Sequence, residues 1–374
     1  MTTRVAYFSF NEFPSHYAHT VNIMKMCQAL QENGWETTLF LCGSQEHCGS
    51  SDDELFEEYG IRQKFRLQWV DLSTNIWLAR WKMFWISRRA SREYRVSYTR
   101  NFICAFAALR AKRACIFEIH SPVFSRLGEV AMRWIVRQRP ARLVAISEEL
   151  ATELCNKYGV RKQHVIVEHD AHDPVTNGAS PSLPPELLFD LSTERVKAVY
   201  VGSFYAGRGL EMLSALAEIH ADVLFIAVGA KRGEPVALSS APSNLHFHNR
   251  IPHRAVPEVL SYADILLMPY AKRVTVEGIG DNSRFCSPLK LFEYLGSGKA
   301  IITSRLPAIL EVLQDEKNAL IADAEDIEGW SAALGRLKAD EGLRDRLGRA
   351  AGATAQEYTW QKRAARIIER ANVH

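Results

Sequence analysis

No stretch of this sequence approaches the ~18 uninterrupted apolar residues that a bilayer-crossing helix requires, so no membrane-spanning helix is expected. The seven cysteines are odd in number, include no CxxC pair and fall mostly in apolar segments, which fits reduced thiols better than a disulfide framework. Neither half carries a GxGxxG after its first strand, and that disfavours a nicotinamide-dependent oxidoreductase. Low-complexity tracts and short internal repeats are missing. The formal net charge is only +3, too small to argue by itself for a nucleic-acid partner. The opening run Arg4–Phe10 has neither the charged start nor the small-residue cleavage site of a secretory signal, so a cytoplasmic location is expected.

What is present is the composition of an ordinary globular protein, 47% hydrophobic and 24% charged, over 374 residues, a length that suits two domains. Short apolar runs alternate with longer helical patterns, the signature of parallel βαβ units. Strands are expected at 5–10, 37–42, 67–70, 96–98, 115–119, 143–146 and 165–168, then at 198–201, 223–228, 245–248, 265–268, 300–303 and 319–321. Thr20–Asn33 reads as an amphipathic helix stopped by Gly34, and 361–373 as another with Ala364, Ile367, Ile368 and Ala371 on one side. The stretch 173–194 holds Pro174, Asn177, Gly178, Pro181, Pro184 and Pro185 and reads as a linker. The fold class expected is α/β, with two doubly wound, Rossmann-like domains at 1–180 and 190–359.

Ligands of such sheets bind beyond the carboxyl ends of the strands, which directs attention to four loops. After Val201 comes Gly202-Ser203-Phe204-Tyr205-Ala206-Gly207-Arg208-Gly209 and then a helix. A helix N-terminus lined by glycine attracts phosphate and Arg208 adds a forked donor, although an ordinary tight turn would read the same way. The second loop leads into Ser287-Pro288-Leu289-Lys290-Leu291-Phe292-Glu293, where Ser287 is expected as N-cap and Pro288 in the first turn. Lys290 could meet a phosphate and Glu293, three residues on, both hydroxyls of a ribose. The competing reading is a surface i,i+3 ion pair worth only ~0.2–0.5 kcal/mol. The third is Glu118-Ile119-His120 at a strand end, where a lone histidine is otherwise more often structural. The fourth, Glu168-His169-Asp170-Ala171-His172-Asp173, tempts toward a metal site, but two histidines without a third convergent ligand are weak, and no metal is expected. His246 and His248 alternate along a strand and are expected on one exposed or cleft-facing side.

The run SPLKLFEYLGSGKAIITS followed by LPAILEVL resembles the donor site of the retaining family 4 glycosyltransferases. The similarity extends along nearly the whole chain, through Gly202–Gly209, Ala255–Asp264 and the segment near Trp360. It implies the GT-B architecture, with the two domains facing a central cleft and the helix within 360–374 packing back on the first. It implies a retaining, metal-independent hexosyl transfer from a nucleotide-sugar donor to a glycan or lipid-linked acceptor, in cell-surface polysaccharide or glycoconjugate synthesis, without a cofactor. By the same resemblance the catalytic groups would be His120, Arg208 and Lys290. The donor would be held by Gly202, Ser203, Gly207, Gly209, Arg250, Asp281, Ser287, Pro288, Leu289 and Glu293, and the acceptor side would include His19, Asn22, Arg100 and Asp170. Glu293 would bind the ribose and Arg208 the diphosphate. Two positions depart from the family pattern. Phe285 stands where a first glutamate is usual, leaving Asp281 or Glu277 as substitutes, and Ser203 replaces a common basic residue.

Between Ile76 and Arg100, Trp77, Trp81 and Trp85 recur every four residues beside Arg80, Lys82, Arg88, Arg89, Arg92 and Arg95. That pattern fits a helix lying on anionic membrane, peripheral to the inner face of the cell membrane, and it equally fits a core-packed tryptophan stripe with a solvated basic face. No recognition motif accompanies it, so no nucleic acid is expected. Two other functions suit the same fold: a sugar-nucleotide epimerase, and a noncatalytic nucleotide-sugar-binding partner subunit, the latter favoured by Phe285.

Overall fold

A computed structural model describes residues 3–15, 17–43, 51–72, 75–174, 183–205, 207–231, 241–273, 275–276, 280–281, 283–285 and 287–372, with only the backbone at 275–276 and 280–281. The chain divides into two compact units, Met1–Asp170 with Trp360–His374, and Ala171–Thr359.

The first unit is a seven-stranded parallel sheet of β1 (Arg4–Glu12), β2 (Glu36–Cys42), β3 (Arg66–Val70), β4 (Val96–Thr99), β5 (Ala114–Ile119), β6 (Ala141–Ala145) and β7 (Val165–Val167), ordered β3-β2-β1-β4-β5-β6-β7. The central strands are buried on both faces, so burial does not alternate along them and even Ser97, Thr99 and Glu118 are enclosed. Strand order reverses between β1 and β4, where the loops part and leave a crevice. The helix Trp360–Ala371 packs on Ala18–Glu32, with Trp360, Ala364, Ile367, Ile368 and Ala371 buried. Burial of one Ile side chain stabilises by about 1.5–3 kcal/mol, which fastens this last segment to the first unit.

The second unit repeats the plan with β8 (Lys197–Val201), β9 (Leu224–Ala230), β10 (Leu245–Asn249), β11 (Ile265–Met268), the two-residue hairpin strands β12 (Thr275–Val276) and β13 (Gly280–Asp281), β14 (Ala300–Ser304) and β15 (Leu320–Ala322). Its main sheet runs β10-β9-β8-β11-β14-β15 and reverses between β8 and β11.

Two expectations about local structure fail. The supposed linker contains a helix, Pro185–Leu191, in which Pro185 serves as a helix starter and Leu187 and Leu191 sit in the core against Val199 and Leu224. The helix Leu289–Ser297 is preceded by Pro288 in the cap position, not by Ser287. The helix therefore starts one residue late for the Ser287 hydroxyl to reach its second or third amide, and that buried hydroxyl has no hydrogen-bond partner among the described residues.

Candidate active site

In the second unit the loops after β8 and β11 meet at the strand reversal. Gly202 receives a backbone bond into β9 by donating its amide to the Val228 carbonyl at 2.9 Å. Gly209, at the start of the helix Leu210–Ile219, has φ +89°, and a Cβ there would run into the Pro269 carbonyl oxygen just beyond β11. Only glycine fits both that dihedral and that approach. The loop is further tied down by Ala271, whose amide donates to the Gly207 carbonyl at 3.1 Å, and by Tyr200, whose hydroxyl donates to the Ser203 carbonyl at 2.9 Å.

Arg208 and Lys290 converge on two tyrosines, Tyr200 near the end of β8 and Tyr270 just beyond β11. The Lys290 ammonium lies 3.8 Å from the centre of the Tyr200 ring and 5.5 Å from that of Tyr270, and the Arg208 guanidinium lies 5.1 Å from the Tyr270 centre. Contacts of this kind contribute roughly 0.5–2 kcal/mol each, enough to hold two like charges side by side, and a diphosphate would relieve their repulsion. The Lys290 ammonium also occupies the space that a side chain at Gly202 would need. Burial pushes the Tyr200 phenol up, with Arg208 opposing, so the ring stays neutral.

Glu293, one turn further along the same helix, accepts a hydrogen bond from His253 Nε2 at 2.5 Å, both side chains half-buried. Arg250 Nε donates to the Gly229 carbonyl at 3.2 Å. Leu289 is buried as part of the apolar side of its helix. Phe285 is 7% exposed, with the Arg284 guanidinium 5.4 Å from its ring centre, so an apolar group fills the place where the resemblance would put a carboxylate. The side chain of Asp281, and all of Glu277, lie outside the described residues. His246 and His248 share a structural partner: His246 Nδ1 and His248 Nε2 stand 2.8 and 2.7 Å from the same Asp190 oxygen, on the helix that replaces the linker. His172 is buried, its two ring nitrogens facing the Asp173 and Ala355 carbonyls.

In the first unit the crevice at the β1/β4 reversal is a cavity of about 240 Å³ lined by Phe8, Ser9, Asn11, His19, Arg100 and Asn101 among others. Asn101 caps the helix Phe102–Arg110 through its side chain, which fixes the turn that carries Arg100. Arg100 Nη1 donates to the His19 carbonyl and to Asn22 Oδ1, each at 3.5 Å, and Asn22 Nδ2 donates to Asp170 Oδ1 at 2.6 Å. His19, Asn22, Arg100 and Asp170 are thus brought into one chain of contacts.

His120 sits beside them and is held by a group the sequence reading left unassigned. Glu118 Oε1 accepts from His120 Nε2, and Glu118 Oε2 accepts from the Tyr98 hydroxyl and, at 3.1 Å, from Arg363 Nη1. Burial alone would raise the Glu118 carboxyl, but Arg363 and then His120 overcome it and hold it well below the usual carboxylate range. Burial and Arg100 lower the His120 imidazole, so at neutral pH it is uncharged, with its proton on Nε2 and a lone pair on Nδ1. Burial, with Arg100 and His120, lowers His19 to about 4, whereas burial raises Asp170. Glu118, His120 and Asp170 bring one atom each within 4.8 Å of one another, close enough for a cation, yet both Glu118 oxygens are already engaged by donors.

Glu118 and Arg363 left signals in the sequence. Two residues before His120 on a strand means the same face, and a carboxylate in the run CIFEI demands a buried partner. Arg363 falls three residues after Trp360 and four before Ile367, on the apolar side of its helix. Tyr200, Tyr270 and His253 left none, because a tyrosine at a strand end reads as core.

Two parallel sheets, each with a polar site at its strand reversal, define an α/β protein of two Rossmann-like domains. Residues 20–174 match the model of Glycosyltransferase Family 4, and residues 195–340 that of Glycosyl transferases group 1. The chain belongs to the family 4-like glycosyltransferases of the GT-B fold. It is 24% identical over 243 residues to a D-inositol 3-phosphate glycosyltransferase of Xylanimonas cellulosilytica, covering 61% of this chain and 55% of that protein. It is 27% identical over 192 residues to a 2-deoxystreptamine glucosyltransferase of Streptomyces kanamyceticus, covering 48% of each. The chain thus spans about half the length of these curated relatives. Its fold resembles that of Anabaena HepE, solved in complex with UDP and glucose, at a TM-score of 0.70 and 14% identity over 98% of both chains.

Proposed function

We propose that this protein is a retaining glycosyltransferase that moves a hexosyl group from a nucleotide sugar to a glycan or lipid-linked acceptor. The observation that carries the reading is the convergence of Arg208 and Lys290 on Tyr200 and Tyr270 above the glycine loop, a site shaped for a diphosphate. As the glycosidic bond to the diphosphate breaks, negative charge grows on the leaving oxygen, and these two cations stabilise it without a metal ion. With no carboxylate assigned as a nucleophile, the acceptor would attack from the face the diphosphate leaves, and a diphosphate oxygen would take its proton. Neutral His120 would accept a hydroxyl of the transferring sugar at Nδ1, its ring held by Glu118. Glu293 would bind the ribose, exchanging its bond to His253 for the two hydroxyls or sharing both.

The cavity beside Arg100 and Asn22 would take the acceptor, and a lipid-linked acceptor would bring the enzyme to the inner face of the membrane. UDP-glucose is a reasonable first donor, since the HepE structure holds UDP and glucose. The test is to incubate the protein with UDP-, GDP- and CMP-sugars and candidate acceptors and to read the anomeric proton of the product by NMR. Transfer with retained configuration supports the proposal. Inverted product contradicts the mechanism, and epimerised donor without acceptor would favour the epimerase reading.

A further inference from the structure

We infer that the first unit carries a membrane-docking face, built from three helices and made for the surface of an anionic bilayer. The helix Ile76–Glu93 turns Ala79, Met83, Ser87 and Ala90 inward and leaves Trp77, Trp81 and Trp85 70%, 64% and 45% exposed. The tryptophans therefore do not form a core stripe. Nor do they stand alone. Trp85 touches Phe84, Phe84 touches Phe106 on the helix Phe102–Arg110, and Phe106 touches Trp134 on the helix Arg126–Ile135, with ring centres 5.5, 6.0 and 4.7 Å apart. On that third helix Leu127 and Val130 stand 81% and 67% exposed, seven and four residues before Trp134 and so along one face with it. A continuous apolar surface of this kind is rare on a monomer and marks a partner.

Charge identifies that partner. Residues 76–137 hold thirteen Lys and Arg against three Asp and Glu, while the rest of the chain holds thirty-three against forty. The near-zero overall charge hides a strongly basic segment on a mildly acidic remainder. Exposed aromatics flanked by bases, with the Arg80 and Arg88 guanidiniums stacked 5.3 and 5.4 Å from the Trp77 and Trp85 ring centres, match an interface where rings enter the headgroup layer and bases meet lipid phosphate. A protein partner would not require such an excess of one sign, and protein interfaces are depleted of lysine and of unpaired charge at their centre.

The inference rests on the glycosyltransferase reading only for its purpose, to hold the enzyme where a lipid-linked acceptor lies; the docking itself is measured without any transfer assay. The full chain is sedimented with sucrose-loaded vesicles of neutral phosphatidylcholine, or of the same lipid with about 30% phosphatidylglycerol. Two variants are compared with wild type: Trp77→Ser/Trp81→Ser/Trp85→Ser and Leu127→Asp/Val130→Asp. All five side chains are exposed, and unchanged circular dichroism and melting temperature confirm the fold of each variant. Binding to the anionic vesicles, at least tenfold weaker for both variants and largely lost between about 50 and 500 mM salt, is the expected result. No binding to anionic vesicles overturns the inference, as does binding that both variants retain. Vesicle-independent self-association in ultracentrifugation that both variants abolish, with no sedimentation on lipid, would assign the face to a protein partner instead.

Discussion

Arg363→Leu removes the arginine that ion-pairs with Glu118 and leaves a carboxylate whose side chain is 0% exposed without that cation. The bond is 3.1 Å long, and Arg363 also donates to the His169 carbonyl at 2.7 Å. Breaking a buried pair from one side typically costs about 3–5 kcal/mol, because the charge left behind keeps its full desolvation penalty. The same penalty predicts a pH signature. In the wild type the Glu118 carboxyl is depressed, so the pair's stability is fully present above the unfolded carboxyl's pKa near 4.5 and is lost as pH falls from there through the lower folded value. In Arg363→Leu the burial effect is unopposed by Arg363, the carboxyl shifts upward, and the variant loses stability as pH rises. The deficit should therefore be larger at pH 7 than near pH 5. Replacing both residues, Glu118→Leu with Arg363→Leu, should restore at least half of the loss. Urea unfolding read by tryptophan emission is a suitable assay, since seven of the eight tryptophans lie in the first unit and only Trp330 in the second. A single-variant loss below about 1 kcal/mol, or a double variant whose cost equals the sum of the two single ones, would refute the reasoning.

Other expectations concern the donor loop and the histidines. Lys290→Ala should lower kcat by about 10²- to 10³-fold in a transfer assay, as removal of one preorganised donor does, with a modest fall in melting temperature from the lost contacts to Tyr200 and Tyr270. Gly209→Ala should destabilise the second unit by about 1–3 kcal/mol in urea unfolding, because φ +89° is strained for alanine and its Cβ meets Pro269. Burial lowers His169 to about 4. A histidine depressed in the folded state contributes stability above its unfolded pKa of about 6.5 that is lost as pH falls toward 4, here up to about 3 kcal/mol, so His169→Gln should flatten the acid limb of the stability curve.

The main strands were legible where parallel strands covered on both faces are continuous apolar runs, as at 223–228 and 265–268, which need no context to be recognised. The site loops followed from the rule that ligands sit at strand reversals. What escaped was decided by tertiary contact. The helix Pro185–Leu191 was hidden by prolines, and its burial depends on Val199 and Leu224, which lie beyond any local window. The direction of the tryptophan stripe was undecidable, because a four-residue repeat fits a core face and a lipid face alike; only the inward Ala79, Met83 and Ser87 settle it. Glu293 found His253, forty residues away in sequence, and Lys290 lies over the Tyr200 ring, two contacts that no local window reveals.

Thermal shift reads out whether the loop bearing Arg208 and the helix bearing Lys290 and Glu293 form a nucleotide-sugar site. UDP-, GDP- and CMP-sugars and their free nucleotides are compared on the wild type, Arg208→Ala and Glu293→Ala. Ligand at 100 times its dissociation constant stabilises by about 2.7 kcal/mol, a shift of several degrees. That shift is expected for one nucleotide class in the wild type, and its loss in both variants. A wild type that no nucleotide shifts, or a shift that both variants retain, would contradict it.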